Sequence, residues 1–132
     1  MNEWSEVLIH VRRGAEFLVA HRAPEGGGYW HTIAGGVEPG EDWEAAARRE
    51  LREETGHDTD AFVTLGEFTY VPEAWENARG PRVDVHAFLV DVEPGWEPEL
   101  DHEHDDYRWC SRIDAMELLF WPEPAALLRS LG

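Results

Sequence analysis

The amino-acid sequence predicts an α+β domain in which helices flank a mixed β-sheet. Its 132 residues suit one domain with a single core. Hydrophobic residues make up 42% of the chain, which is enough to fill such a core. Segments with strand and helix patterns follow one another without strict alternation, which favours a mixed sheet. We therefore expect residues 1–132 to fold as a single domain.

Short apolar runs bounded by turn-forming residues predict the strands of the sheet. In the first strand Val7, Ile9 and Val11 alternate with other residues. Gly14 and Ala15 then form a turn, so the first two strands are expected to pair as a hairpin. The predicted strands are Glu6–Arg13, Phe17–Ala20, Tyr29–Ile33, Phe62–Val71, Arg82–Asp91 and Tyr107–Cys110.

The clearest helical pattern runs from Asp42 to about Thr55. Asp42 is suited to cap the N-terminus, and Gly56 is suited to end the helix. An apolar stripe at positions i, i+4 and i+8 would face the core. That stripe consists of Trp43, Ala47 and Leu51. Two further helices are predicted near the C-terminus, at Ile113–Phe120 and Pro124–Leu131.

The formal net charge of −17 argues against binding to a nucleic-acid polymer through a basic patch. An anionic substrate would need a cation to bridge it to such a surface. The chain has no apolar run of about 18 residues, so no membrane span is expected. Met1 to Val7 lack the basic and apolar regions of a signal peptide, which makes the cytoplasm the expected compartment.

Three glutamates of the central helix form a candidate metal site. Glu50, Glu53 and Glu54 are spaced i, i+3 and i+4, which places them on one helical face. A hard divalent cation, Mg²⁺ or Mn²⁺, would relieve their mutual repulsion and could polarise a water molecule. The alternative is a solvated acidic helix in which Arg49 and Arg52 form ion pairs. Glycines before the helix favour the metal interpretation, because they let backbone approach a ligand.

The segment from Gly35 to His57 resembles the Nudix box. That box is a glycine, five residues, a glutamate, seven residues, then Arg-Glu-aliphatic-x-Glu-Glu-x-Gly-aliphatic. The matching residues are Gly35, Glu41, Arg49, Glu50, Leu51, Glu53, Glu54 and Gly56. Two positions depart from the usual pattern: His57 stands where an aliphatic residue is usual, and Ala34 stands where many members have proline.

The resemblance implies a Nudix-type α/β/α sandwich and hydrolysis of a pyrophosphate bond in a small phosphate-containing substrate. The implied substrates are nucleoside diphosphates linked to another moiety, cleaved by a metal-polarised water. By the same resemblance, Glu50, Glu53 and Glu54 bind the metal, and one of them also serves as base. Glu41 and Arg49 orient those carboxylates.

A second segment, Glu103 to Trp109, narrows the resemblance. It is similar to the Glu-His-x-x-Tyr-basic-Trp segment of dihydroneopterin triphosphate diphosphatases and dinucleoside tetraphosphate hydrolases. Tyr29 and Trp30 are similar to a Phe-Trp pair of the dihydroneopterin triphosphate diphosphatases. We therefore favour that group. Glu103 is either an additional metal ligand or base, or a solvated acid in an acidic loop.

Substrate contacts are expected from residues around the box. Arg22 either reaches a phosphate or is solvated. Three aromatic residues, Tyr29, Trp30 and Trp75, are candidates for stacking on a planar base, with core packing the favoured role of Trp30. The backbone at Gly35 and Gly36 can approach the ligand. His102 and His104 could form a zinc pair, but no further ligand in register supports one.

Two other functions remain open at this point. One is an inactive Nudix module that binds nucleotide as a regulator, although such modules normally lose residues of the box. The other is diphosphate isomerisation, for which relatives use a cysteine. The single cysteine, Cys110, is poorly placed for that role and is expected to be a small packed residue. Homodimers are common among Nudix relatives, but no feature of this sequence demonstrates one.

Overall fold

The structure, a computed structural model, describes residues 4–72 and 82–131. Within these residues seven strands form one mixed sheet, and three α-helices pack on it. The strands are β1 (Trp4–Arg13), β2 (Glu16–Arg22), β3 (Trp30–His31), β4 (Ile33–Gly36), β5 (Val63–Tyr70), β6 (Val83–Asp91) and β7 (His104–Ser111). The helices are α1 (Trp43–Thr55), α2 (Arg112–Leu118) and α3 (Pro122–Arg129).

Strand β1 lies at the centre of the sheet. It pairs in parallel with β6 along its length and antiparallel with β4, and it forms the expected hairpin with β2. Strand β5 joins the outer edge of β6, and both β3 and β7 join β2. Sequence alternation predicted one buried face of β1, at Val7, Ile9 and Val11. Leu8 and His10 on its other face are buried as well, because helices cover both sides of the sheet.

Helix α1 covers one face of the sheet, while α2 and α3 cover the other. The first core contains Val7, Ile9, Val11, Leu18, Ile33, Ala46, Ala47, Leu51, Phe88 and Val90. The second core contains Phe17, Val19, Leu89, Ala115, Leu119 and Leu128. The predicted α+β class with its α/β/α layering is therefore confirmed.

The bounds of α1 follow its capping residues. The side chain of Asp42 accepts a hydrogen bond from the N–H of Ala45 at 2.8 Å. At the other end Gly56 adopts φ +82°, and its N–H donates to the Arg52 carbonyl at 2.9 Å. Ala47 and Leu51 are buried as predicted, whereas Trp43 is half-buried. The buried face also includes Glu54, which an apolar pattern does not reveal.

Several predicted bounds differ from the observed ones. Strand β4 extends through Gly35 and Gly36, because both residues pair with β1. Strand β7 begins at His104, three residues before the predicted start, because it pairs along β2 as far as Arg22. Helix α3 begins at Pro122 and not at the predicted Pro124, and proline is a residue type favoured in the first helical turn. None of the helices in the described ranges is long and apolar enough to span a membrane.

Candidate active site

The turn that leads into α1 is closed by Glu41. Its Oε1 atom accepts a hydrogen bond from the N–H of Glu38 at 2.9 Å. The N–H of Glu41 donates in return to the Glu38 carbonyl at 3.0 Å. These reciprocal bonds hold the residues between β4 and the helix cap, so the Glu41 carboxylate is fixed before α1 begins.

Arg49 links this turn to the glutamates of α1. Its Nε and Nη2 atoms donate to the two oxygens of Glu41 at 2.8 and 2.9 Å, and Nη2 also donates to the Gly36 carbonyl at 2.8 Å. Its Nη1 atom donates to Glu50 at 2.8 Å and to Glu53 at 3.3 Å. The bonded guanidinium lowers the pKa of the Glu41 carboxyl, and Glu41 raises the pKa of Arg49. A planar, multiply bonded guanidinium therefore sets the positions of three carboxylates.

The carboxylate of Glu50 lies directly against the backbone of Gly35. A Cβ atom at position 35 would overlap the Glu50 carboxyl group. The backbone there has little freedom to move away, because Gly35 pairs with Val7 in the sheet. Glycine is therefore required at this position for the observed approach of α1 to β4.

Glu54 is the most unusual charged group of the site. Its side chain is 1% exposed, and neither of its oxygens has a hydrogen-bond partner within the described part of the chain. Burial raises the pKa of the Glu54 carboxyl well above its ordinary value, and the adjacent Glu50 carboxyl adds to the shift. Asp101 and Glu103 contribute further repulsion. A buried acid in this setting is suited to a cation that would replace the missing partners.

The three helix glutamates occupy different environments. The side chain of Glu53 is 55% exposed, whereas that of Glu50 is 12% exposed. Glu50 and Glu54 adjoin each other, and Glu53 is connected to Glu50 through Arg49. In residues 4–72 and 82–131, no three His, Cys, Asp or Glu side chains are already arranged to hold a metal ion.

His104 is a neighbour of Glu54 that the sequence did not single out for this role. Its Nε2 atom lies 3.6 Å from Oε1 of Glu54, and its Nδ1 atom lies 3.0 Å from Oδ1 of Asp101. His102, considered beside it as half of a zinc pair, is exposed while His104 is buried. The sequence could not separate the two histidines, because both lie in the same acidic stretch.

A cleft of about 550 Å³ opens beside Glu50. Glu50 and Glu103 contribute to its walls, together with the backbone of Gly35 and Gly36. The structure thus brings the predicted loop residue Glu103 to the same cavity as Glu50, whereas Glu53 and Glu54 are absent from the cleft lining.

Arg22, at the end of β2, also lines the cleft. Its Nε atom is buried and has no hydrogen-bond partner among the residues that the structure describes. An arginine beside a concave surface with a donor unused can bind an anionic group such as a phosphate.

An aromatic wall borders the cleft on another side. Tyr29 lines it and packs against Trp121, with ring centroids 5.7 Å apart. Trp121 also lines the cleft, which sequence analysis did not predict. Trp30 is absent from the lining and packs against the second core, which agrees with its favoured role. The remaining stacking candidate, Trp75, lies outside the described residues.

The start of β1 supplies further residues that sequence analysis missed. Trp4 and Glu6 line the cleft, as does Tyr70 at the end of β5. The Glu6 carboxylate accepts hydrogen bonds from the Tyr70 hydroxyl at 2.8 Å and from Trp4 Nε1 at 3.1 Å. The alternation of β1 could have located Trp4 and Glu6 on the face opposite Val7, but it could not show that a cavity opens there.

His57, which departs from the motif, and the single cysteine, Cys110, both pack against other side chains. His57 is half-buried and packs edge-to-face with Trp96, with ring centroids 5.3 Å apart. Cys110 is packed at the margin of the second core, away from the cleft lining. Burial raises the pKa of the Cys110 thiol, which disfavours the reactive thiolate.

Layered helices on a mixed sheet, with glutamate side chains in the wall of a cleft, define an α/β/α domain with a carboxylate-bearing cleft. A family model described as the NUDIX domain matches residues 4–131. The chain belongs to the Nudix family. It is 33% identical over 104 residues to the asymmetrical bis(5'-nucleosyl)-tetraphosphatase of Caenorhabditis elegans, covering 79% of this chain and 74% of that protein.

Solved structures show the same architecture. The C. elegans Ap4A hydrolase in a binary complex has a TM-score of 0.78 and 27% identity, with 97% of this chain and 94% of that chain covered. The E. coli dihydroneopterin triphosphate pyrophosphohydrolase has a TM-score of 0.82 and 21% identity, with 95% and 92% covered. This second likeness concerns the fold alone.

Some relatives are much longer than this chain. It is 37% identical over 119 residues to an octanoyltransferase of Myxococcus xanthus, an alignment that covers 86% of this chain and 32% of that protein. The chain thus spans about a third of that relative.

Proposed function

We propose that this protein is a divalent-metal-dependent pyrophosphohydrolase. Its substrate is a nucleoside or pterin compound that carries two or more linked phosphates. The observation that carries the proposal is Glu54, a buried carboxyl with no hydrogen-bond partner in the described ranges. It is adjacent to Glu50, which lines the cleft. Without a cation this arrangement costs free energy, because like charges repel and the buried group lacks partners.

The cation would be Mg²⁺ or Mn²⁺, since the four candidate ligands are glutamates, which offer carboxylate oxygens. Glu50 and Glu54 would hold it, with Glu53 and Glu103 as further ligands from α1 and the loop before β7. When bound, it would neutralise phosphate charge and lower the pKa of a water molecule. One of the glutamates is the base, and Glu53 and Glu50 are the candidates.

The remaining site residues bind and position the substrate. Arg49 orients Glu50 and Glu53 through direct hydrogen bonds, and Glu41 holds Arg49 in place. Arg22 binds a substrate phosphate, because it lines the cleft and its Nε donor has no hydrogen-bond partner among the described residues. Tyr29 and Trp121 stack on the planar base, because both aromatic rings border the cleft. The net charge of −17 further supports a small substrate over a nucleic-acid polymer.

The comparisons support one class of substrate over the other. The 33% identical C. elegans relative is named for the tetraphosphate bis(5'-nucleosyl) compounds, which supports dinucleoside polyphosphates as substrates. The pterin triphosphate that the sequence slightly favoured rests on the pair Tyr29 and Trp30, and Trp30 does not line the cleft. We therefore place dinucleoside polyphosphates first and dihydroneopterin triphosphate second.

The test is hydrolysis by the purified protein with and without Mg²⁺ or Mn²⁺. The panel contains dinucleoside tetraphosphates, dihydroneopterin triphosphate, 8-oxo-dGTP, canonical nucleotides and ADP-ribose, with phosphate release and product mass as readouts. We expect metal-dependent cleavage of at least one compound. Failure to cleave any compound would contradict the proposal, and tight nucleotide binding without product would favour an inactive binding module.

A pair of variants on α1 separates the metal site from general charge effects. Glu53→Gln is expected to reduce kcat by about 100-fold or more, because it removes a ligand or base. Glu44→Gln is the matched control, since Glu44 is an exposed glutamate in the first turn of the same helix. Equal activity of the two variants would remove Glu53 from the catalytic assignment.

A further inference from the structure

The environment of Glu54 contains one buried neighbour that the proposed function does not use. The side chains of His104 and Glu54 are 0% and 1% exposed, and Nε2 of His104 lies 3.6 Å from Oε1 of Glu54. Within the described residues, neither Nε2 nor the two oxygens of Glu54 have a hydrogen-bond partner. The Nε2 atom of His104 and the Glu54 carboxyl therefore face each other in the interior, each without a hydrogen-bond partner among the described residues.

Asp101 fixes the orientation of the imidazole ring. Its Oδ1 atom lies 3.0 Å from Nδ1 of His104, and the backbone N–H of His104 donates to the Asp101 carbonyl at 3.3 Å. With Nδ1 bonded to Asp101, the opposite nitrogen of the ring is directed at Glu54. Asp101, His104 and Glu54 therefore form a chain from the loop before β7 to the inner face of α1.

We infer that His104 is a positioning residue that holds the Glu54 carboxylate for a divalent cation. This inference rests on the proposed function. One oxygen of Glu54 faces the imidazole, which leaves the other for the cation. The separation of 3.6 Å exceeds a hydrogen bond, so in this structure the imidazole borders the carboxylate without a hydrogen bond to it. Partners of ligating carboxylates typically contribute about 10- to 100-fold to metal affinity.

Direct measurement of Mn²⁺ binding to the full chain, without substrate, tests this role. Electron paramagnetic resonance counts free Mn²⁺ and gives Kd. We expect His104→Ala to weaken Mn²⁺ binding by about 10-fold or more. His104→Gln is expected to recover part of the affinity, because its amide retains a donor. His102→Ala is the matched control two residues away, on an exposed side chain, and is expected to bind as the wild type does.

A dependence of activity on metal concentration gives a second readout. His104→Ala should require more Mg²⁺ for half-maximal activity, while kcat at saturating Mg²⁺ returns to within about threefold of the wild type. Asp101→Asn should also raise the Mg²⁺ concentration needed for half-maximal activity. This variant replaces His104→Ala as the test if His104→Ala does not fold. A merely structural histidine would lower the folded fraction without changing the metal requirement of the folded molecules.

The outcomes separate this inference from the proposed function. If the wild type binds Mn²⁺, Glu54→Gln abolishes binding and folded His104→Ala binds normally, the role of His104 is overturned and the metal site stands. If Asp101→Asn also leaves binding unchanged, the conclusion is the same. If the wild type binds no Mn²⁺, both the metal site and the role of His104 are overturned.

Discussion

Arg49 and Glu41 form a two-bond pair, with Nε and Nη2 of the arginine donating to the two carboxylate oxygens at 2.8 and 2.9 Å. The pair joins the turn before α1 to the middle of that helix. It leaves Nη1 of Arg49 for Glu50 and Glu53. The position of both glutamates therefore depends on the planar shape of a guanidinium as well as on its charge.

The first prediction concerns Arg49→Lys. An ammonium group keeps the charge but cannot make the paired bonds, so we expect kcat to fall by about 10- to 100-fold. Arg48→Lys is the matched control, because Arg48 makes a similar two-bond pair with Asp58 at the surface, at 2.7 and 3.2 Å. Its turnover should stay within about twofold of the wild type. Equal losses in the two variants would show that Arg49 has no special orienting role.

The second prediction concerns Gly35→Ala. The added methyl group would occupy the space of the Glu50 carboxyl, so we expect loss of activity and a destabilisation of about 1–3 kcal/mol. Gly95→Ala is the control, because a Cβ atom there meets no atom within 4 Å. Chemical denaturation and steady-state kinetics measure the two effects. A fully active Gly35→Ala variant would contradict the observed placement of Glu50.

The third prediction is a pH dependence of stability from His10. Burial lowers the pKa of His10 to about 4, and the bond to the Pro124 carbonyl offsets this shift in part. Because the unfolded chain binds the proton more tightly, the stability contributed by neutral His10 is complete above pH 6.5 and is lost as pH falls through about 4. The loss amounts to about 3 kcal/mol.

Denaturation curves between pH 7 and pH 4 measure this effect. His10→Gln should show a smaller loss than the wild type over this range, whatever its stability at pH 7. His102→Gln, which changes an exposed histidine, should follow the wild-type slope. Parallel curves for the wild type and His10→Gln would exclude His10 as the source.

The fourth prediction concerns the aromatic wall. Tyr29→Ala should raise KM for a base-containing substrate by about 10-fold with a smaller change in kcat, since stacking contributes about 1–3 kcal/mol per base. Tyr29→Phe retains the ring and should keep KM within about twofold. An unchanged KM in Tyr29→Ala would place the base elsewhere in the cleft.

The strand and helix patterns of the sequence were sufficient to predict the layers of the fold. Capping rules located both ends of α1. The relation of Glu41 and Arg49 to the helix glutamates came only from the resemblance to the Nudix box. Alternation in β1 also predicted the core face at Val7, Ile9 and Val11. The helix caps and the core face of β1 depend on residues close in the chain or on a periodic pattern, which is why the sequence predicts them.

The environment of each carboxyl group could not be predicted. Glu53 and Glu54 are adjacent and identical in type, yet one is exposed and the other is buried against His104. That difference depends on packing between α1 and the loop before β7, which are about fifty residues apart in the chain. Trp121 lines the cleft. Its position also depends on packing between distant segments, so no local sequence pattern predicts it.

The hydrogen-bond network of Arg49 and three of the side chains that line the cleft come from different parts of the chain. The network lies within residues 36–53, whereas Arg22, Tyr29 and Trp121 come from β2, the loop after it and the segment before α3. A library of variants confined to the wall positions would therefore alter substrate selectivity while leaving the carboxylate network untouched. The scaffold is in this sense suited to laboratory evolution, because new preferences can be sought without rebuilding the hydrolytic centre.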